Sequence, residues 1–329
     1  MNAKAVVCVG VCTIKRPQML GKCLRSLASQ KNLGEWEVHI LVIDNDATPS
    51  SASIAEAVSK DCPFPIHYHH EPRRGIPMAR NRVLEEALSL GAEWLAFIDD
   101  DQTAYPDWVE KLLFIARHDK ADAVGSHRIF MVPAPQPFWH VNNPDKKPVA
   151  GAIHGAVDGP PETRRRKELA TSGVMLSSRL IRADSMGLRF DEKLALGGLE
   201  DGQFFEYAHR RGAVLISSCL PTVTEEAHRS RSTYRRQALR GLAPGGALVA
   251  RHRISNRYWR TARRYAAASM VRALRGTGQL LISPMFVPYS MGRFKFTAVE
   301  GGRNICVAAG MLGGLFGLQY GYYREIDGY

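Results

Sequence analysis

The chain has six cysteines in 329 residues, and no two of them form a Cys-x-x-Cys pair. Cys8, Cys12, Cys23, Cys62, Cys219 and Cys306 lie mostly in apolar stretches. That pattern argues against a zinc site and a disulfide framework, and it fits reduced core thiols in a cytosolic protein. The opening MNAKAVVCVGVCTIKRP has a lysine before a short apolar run but lacks a small-residue cleavage site, and it runs straight into Lys15, Arg16 and Pro17. A buried first strand is expected there, not a leader peptide. No Gly-x-Gly-x-x-Gly follows the first strand and no Walker-type Gly-Lys-Ser/Thr loop follows any, so neither a dinucleotide fold nor a P-loop has its motif. Acids are in deficit, 32 against 44 lysines and arginines, for a formal charge of +12. The excess points to an anionic partner: nucleic acid, a phosphorylated substrate or an anionic membrane surface.

The composition, 45% hydrophobic and 23% charged, is that of globular material long enough for one large domain with an appendage, or for two domains. AVVCVGVC reads as a buried strand followed by the helical spacing of MLGKCLRSLAS. WEVHILVIDND is a second strand, followed by the helix SASIAEAVSK. PIHYHH is a short third strand, and GIPMARNRVLEEALSL is a helix with Pro77 near its start. EWLAFI is the fourth strand and delivers Asp99, Asp100 and Asp101. Strands alternating with helices make a parallel sheet, and such sheets bind ligands beyond the carboxyl ends of their strands.

Three consecutive carboxylates need an explanation. Two unit charges about 7 Å apart repel by roughly 0.6 kcal/mol in water and about 2.4 kcal/mol at an effective dielectric of 20. A solvated turn accounts for an isolated triplet. A divalent cation accounts for it equally, since magnesium and manganese prefer a few carboxylates plus substrate phosphates. Thr13 to Arg16 and Asp44 to Asp46 end neighbouring strands at the same edge, and that convergence favours a metal-assisted nucleotide site.

VCTIKRP, LVIDNDA, GIPMARN, FIDDDQ and GGLEDGQFFEYAHRRG, in this order, resemble the nucleotide-sugar-dependent glycosyltransferases of the GT-A fold, in the large second family of inverting enzymes. The likeness covers roughly residues 5 to 240. It implies an α/β, Rossmann-like, mostly parallel central sheet flanked by helices. The implied division is 1–245 as catalytic domain, its nucleotide-binding half about 1–125 and its acceptor-binding half about 126–245, followed by a basic, apolar helical appendage at 246–329.

The resemblance also implies roles. Thr13 and Asp44 would hold the nucleobase, with Arg16 among the donor-binding groups and Arg80 near the base or the diphosphate. Asp99 would meet the ribose and Asp101 a manganese or magnesium ion (Mn²⁺ or Mg²⁺), with Asp100 between them; Asp100 with Asp101 is the other possible pairing. Asp201 would be the general base that takes the acceptor hydroxyl's proton, and Glu200 would position the acceptor or orient Asp201. His228 would complete the metal site. Singly, each has a plainer account: a strand-end hydroxyl for Thr13, an Asx turn for Asp44, a surface charge for Arg80, helix-dipole electrostatics for Glu200 and Asp201.

Residues 131 to 169 are Pro-rich, end in RRRKE and read as a long loop or small insertion. Trp139 there is expected to pack, with stacking on a sugar as the alternative. Arg229, Arg231, Arg235 and Arg236 suit phosphate oxygens or a solvated helix face. Beyond them, ICVAAGMLGGLFGL falls short of the roughly 20 residues a spanning helix needs. Arg-rich helices beside apolar ones suggest monotopic attachment to an anionic inner leaflet, with packing on the catalytic domain as the alternative. A weaker likeness is to the glucosyltransferases of succinoglycan-type exopolysaccharide assembly. The expected activity is inverting, metal-dependent hexosyl transfer from a nucleoside-diphosphate sugar, a UDP-sugar first, to a lipid-linked saccharide, with polyprenyl diphosphate as one candidate carrier, at the cytoplasmic face of the plasma membrane. A sugar nucleotidyltransferase and a non-enzymatic nucleic-acid binder are the alternatives. The first lacks its Gly-rich phosphate loop, and the second leaves the acids at the sheet edge unexplained.

Overall fold

Apolar runs with few polar interruptions organise the core of the computed structural model, which describes residues 4–131, 138–139, 163–194, 200–226, 233–239, 241–242, 258–316 and 318. The first is β1 (Ala5–Thr13), buried along its centre and paired in parallel with both β2 (Trp36–Asp44) and β4 (Trp94–Asp99). β3 (Ile66–His70) extends this parallel set beyond β2. Helices α1 (Pro17–Ala28), α2 (Ala52–Ser59) and α3 (Ile76–Ser89) supply the crossovers. α1 starts on Pro17, whose missing N–H is no loss in a first turn, and buries Leu20, Cys23, Leu24 and Leu27 at helical spacing.

Past β4 the sheet becomes mixed. Its order is β3-β2-β1-β4-β8-β6-β9-β5, with β7 on β9. β6 (Ala123–Met131) and β9 (Leu215–Glu226) run parallel to each other, with β8 (Val174–Ser177) antiparallel between β4 and β6. β5 (Gln102–Ala104) and β7 (Thr163–Arg166) each pair antiparallel with β9. The arginine run at 164–166, expected within a loop, is therefore strand. Of that Pro-rich stretch, residues 132–137 and 140–162 lie outside the described residues. α4 (Trp108–His118) covers one face with a fully buried Trp108.

Two clusters of buried side chains sandwich the sheet. One gathers Val7, Val9, Val11, Leu20, Leu24 and Trp108 with their neighbours; the other gathers Leu41, Ile43, Val83, Leu95, Phe190, Phe204 and Phe205. Gly10 lets α3 lie against β1: a Cβ there would stand 2.3 Å from Val83 Cγ1. α5 (Glu200–Arg210) buries Phe204, Phe205 and Ala208 and ends before Gly212, at φ +86°.

α6 (Tyr234–Leu239), α7 (Tyr258–Ile282) and α8 (Met291–Leu315) follow. α7 and α8 form an antiparallel hairpin, tied by Ser269 Oγ donating to the Ala308 carbonyl at 2.9 Å and by Arg272 and Gln279 on either side of Asn304. A Cβ on Gly276 would come within 2.6 Å of the Gly301 carbonyl oxygen, so glycine permits this close helix contact. α8 rests on α6, where a Cβ on Gly302 would strike the Tyr234 hydroxyl. Among the described residues, no helix is long and apolar enough to cross a membrane.

Candidate active site

Register brings the expected site together. Thr13 stands opposite Asp44 at the ends of β1 and β2, and Cys12 stands opposite Asp99 at the ends of β1 and β4. Lys15, in the left-handed region at φ 54°, turns the chain out of β1 into α1. Arg16 then reaches back over the acidic triplet.

Asp100 turns inward. It accepts from the Thr13 hydroxyl at 2.8 Å and from Arg16 Nη1 at 3.1 Å. Burial pushes its carboxyl up to about 6, against the pull of Arg16, with Asp101 pushing the same way. Thr13, expected against the nucleobase, thus has its hydroxyl engaged with the middle acid. Arg16 also reaches Asp101, at 3.4 Å. Asp99 and Asp101 are the half-buried members of the triplet. Burial, and then the neighbouring charge of Asp101, raise the Asp99 carboxyl above its ordinary range.

A second network frames Asp99. Gln102 accepts from the Asp99 amide at 3.1 Å and donates to Ser172 Oγ at 2.6 Å. Arg128 of β6 donates to Ser172 at 2.9 Å and to Glu225 of β9 at 3.2 Å. These residues drew no notice in the sequence; the one available signal was Gln102, the polar residue that follows the triplet directly.

Asp44 is wholly buried and serves its own loop. Its carboxylate accepts from the amides of Asp46, Ser50 and Ser51 and from the Tyr68 hydroxyl at 2.8 Å. Asn45 secures the next loop, donating to the carbonyls of Glu71 and Arg73 and accepting from the Gly75 amide. The Gly75 backbone, at φ 148°, leads directly into α3.

Arg80, one turn into α3, is the hub. It donates to Glu200 at the start of α5 and stacks over the Phe190 ring at 5.6 Å. Burial works against its charge, yet Glu200, Asp201 and Asp99 together hold the guanidinium above its ordinary value. Burial pushes the Glu200 carboxyl up while Arg80 draws it down and Asp201 pushes it up. The second oxygen of Glu200, Oε2, is buried with no hydrogen-bond partner. Asp201, half-buried, has its Oδ1 2.7 Å from the Gly202 amide. Arg80 thus pairs with the first acid of α5 and lies within the field of Asp201 and of Asp99 at the end of β4.

The donor set fits a magnesium or manganese ion: Asp99 and Asp101 offer hard oxygens while the third carboxylate is engaged inward, and such ions complete their shells with phosphate and water. Among the described residues, no three His, Cys, Asp or Glu side chains are grouped to hold a metal by themselves. His228, expected as a ligand, lies outside the described residues, as do Arg229 and Arg231. Arg235 and Arg236 lie on α6. A cavity of about 610 Å³ opens between Lys4, Trp36 and Pro65, at the amino ends of the strands and away from these acids.

A model of Glycosyl transferase family 2 matches residues 8–186, from β1 past β8. The chain belongs to that family. Succinoglycan biosynthesis protein ExoM of Rhizobium meliloti (strain 1021) is 31% identical over 97% of this transferase and 96% of its own length. The uncharacterized glycosyltransferase YibD of Escherichia coli (strain K12) is also 31% identical, over 30% of this chain and 27% of its own. Crystal structures of S. aureus TarS 1-349, one of them in complex with UDP-GlcNAc, superpose with a TM-score of 0.50 at 14% and 13% identity, over 92% of this transferase and 90% of theirs. At that identity the likeness is one of fold, and the fold of this transferase is GT-A. Glu200 and Asp201 lie beyond the stretch that the family model matches, so their place in the site rests on the contact with Arg80.

Proposed function

We propose that this transferase moves a hexosyl group, with inversion, from a nucleoside-diphosphate sugar to a saccharide carried on a polyprenyl diphosphate, in exopolysaccharide or surface-polysaccharide assembly at the cytoplasmic face of the plasma membrane. A UDP-sugar is the first choice of donor. The observation that carries the reading is the buried ion pair of Arg80 with Glu200, which sets the acidic start of α5 against α3. The relative named for succinoglycan biosynthesis, similar along nearly its whole length, supports the polysaccharide, and the TarS complex with UDP-GlcNAc supports the donor class.

Asp201 is the group that takes the acceptor hydroxyl's proton, and Glu200, fixed by Arg80, orients it. Asp99 meets the ribose, and Asp101, with His228, would hold a manganese or magnesium ion. Thr13 and Arg16 act through Asp100, fixing the strand end that presents Asp101. Asp44 shapes the loop beside the nucleobase. A bound cation supplies charge neutralisation for the departing diphosphate.

Calorimetric titration with UDP, with Mn²⁺ and then with EDTA, tests the donor site on the wild type and on Asp101→Ala. Metal-dependent binding that disappears in the variant supports the reading; binding unaffected by EDTA overturns the metal. Asp201→Asn is expected to abolish transfer while UDP still binds, and equal loss of both removes Asp201 from the role of base. Release of UDP and not pyrophosphate separates transfer from nucleotidyl chemistry.

A further inference from the structure

Among the described residues, exposed apolar side chains concentrate at the turn between α7 and α8. From Gly276 to Gly292 the sequence has no ionisable side chain except the Tyr289 phenol, and Arg275 and Arg293 bound the stretch. Leu281, Met285 and Tyr289 are 74%, 69% and 87% exposed, with Ile282, Val287 and Met291 exposed beside them. Met270, Val271 and Leu274 continue the apolar surface back along α7. A contiguous patch of this kind on a protein surface marks a docking site for something apolar.

Two observations identify the occupant. First, the turn closes its own backbone hydrogen bonds despite its exposure. Val287 donates to Pro284, Tyr289 and Ser290 donate to Phe286, and the Ser283 hydroxyl donates to Leu280. The Ser290 hydroxyl caps α8 by accepting from the Arg293 amide at 3.3 Å. A backbone that satisfies itself is what hydrocarbon demands and water does not. Second, the flanks are cationic. Arg272, Arg275, Arg293 and Lys295 lie on the two helices next to the turn, and Glu300, itself 3.3 Å from Arg303, is the only acid between residues 258 and 318. Apolar tip and basic collar together match the acyl and headgroup layers of an anionic bilayer.

We propose that the α7–α8 turn, residues 281–291, inserts into the interfacial layer of an anionic lipid bilayer, with the arginines of the collar on the lipid phosphates. The insertion is monotopic. Its location is suited to a lipid-borne acceptor: Tyr234 and Trp139, 5.0 Å apart, follow the ends of β9 and β6, and Phe294 of α8 lies 6.0 Å from Trp139. The half-exposed Phe138, 3.9 Å beneath Lys295, adds to the same surface.

Flotation of the full chain with phosphatidylcholine vesicles, with and without phosphatidylglycerol, tests the proposal. The wild type is expected to float with the anionic vesicles and much less with the neutral ones. The triple variant Leu281→Ser, Met285→Ser, Tyr289→Ser is expected to lose about a hundredfold or more in partition, since each buried apolar side chain is worth more than a factor of ten. UDP binding should remain, because the variant leaves the acids at the sheet edge untouched; donor chemistry and membrane docking therefore fail independently. A wild type that stays in solution overturns the proposal. So does a triple variant that floats equally, or a dimer that the variant dissolves without any vesicle binding. Should the triple variant fold poorly, Tyr289→Trp read by brominated-lipid quenching decides: emission quenched beyond the wild type places residue 289 in the acyl layer, and no added quenching excludes it.

Discussion

Arg80 and Glu200 form a buried ion pair that joins the helix before the fourth strand to the first turn of a helix more than a hundred residues later. α3 owes its position to β1, and α5 owes its position to the Phe204 and Phe205 core. The pair converts two separate packing arrangements into one site.

Arg80→Met is therefore expected to leave a carboxylate buried without its cation and to lower unfolding stability by about 3–5 kcal/mol. Urea denaturation measures this. Adding Glu200→Gln should return a substantial part of the stability but none of the transfer activity, because Asp201 loses its oriented neighbour. If the two single changes add without coupling, the pair has no energetic role.

Gly10→Ala should be felt in α3. A methyl group 2.3 Å from Val83 Cγ1 forces the helix outward, at a cost of about 1–3 kcal/mol. Val83→Ala in the same chain opens the space and should recover most of the melting temperature. Activity should follow, since Arg80 is carried one turn before Val83.

The β2–β3 edge has its own acid sensitivity. His39 Nδ1 lies 3.0 Å from His67 Nε2, and burial, with the charges of His39 and His69, holds His67 below its ordinary value. The unfolded chain thus binds a proton more readily than the folded one. The contribution of His67 is complete above about 6.5, the unfolded value, and is lost as the pH falls through the lower folded value. Thermal melting of His67→Gln should change less than the wild type between neutral and mildly acidic pH. An unchanged difference refutes the assignment.

Thiol labelling should divide the cysteines. Burial pushes Cys8 and Cys12 up to about 12 and Cys23 well above its ordinary value. In the native protein at mildly alkaline pH these three should react with iodoacetamide more slowly than Cys62 and Cys306, whose thiols burial raises less. Peptide mass spectrometry reads the order, and denaturant should abolish it.

Strands β1 to β4 were legible because each is a dense apolar run closed by polar residues, and their parallel order followed from the helices between them. β5 has three residues, too few for a period. β7 reads TRRR, a pattern of solvated charge, and is a strand because β9 offers an edge from Leu215 to Ser218. At the site, residue types were legible and partners were not. Thr13 and Asp44 end their strands at one edge of the sheet, and Arg80 stands on the helix that leads to the next strand. That Thr13 donates to Asp100, that Asp44 closes its own loop and that Arg80 pairs with Glu200 are facts about neighbours 87, six and 120 residues away. The Gln102–Ser172–Arg128–Glu225 network was invisible because its members come from four separate segments, none distinctive in composition.

The reversed direction of β8 governs how this catalyst can diversify. Since β8 runs against β4, the chain enters it at the acidic edge, through Thr171, Ser172 and Gly173, and leaves it at the far side. The segment that arrives at the site is held at two short strands, by β7 on β9 and by β8 between β4 and β6, with Gly173 at φ +72° fixing the point of entry. Residues 167–173 are therefore a short bridge between two fixed strands. Exchange within that bridge can alter what lies beside Asp99 while the strands that carry the acids keep their register.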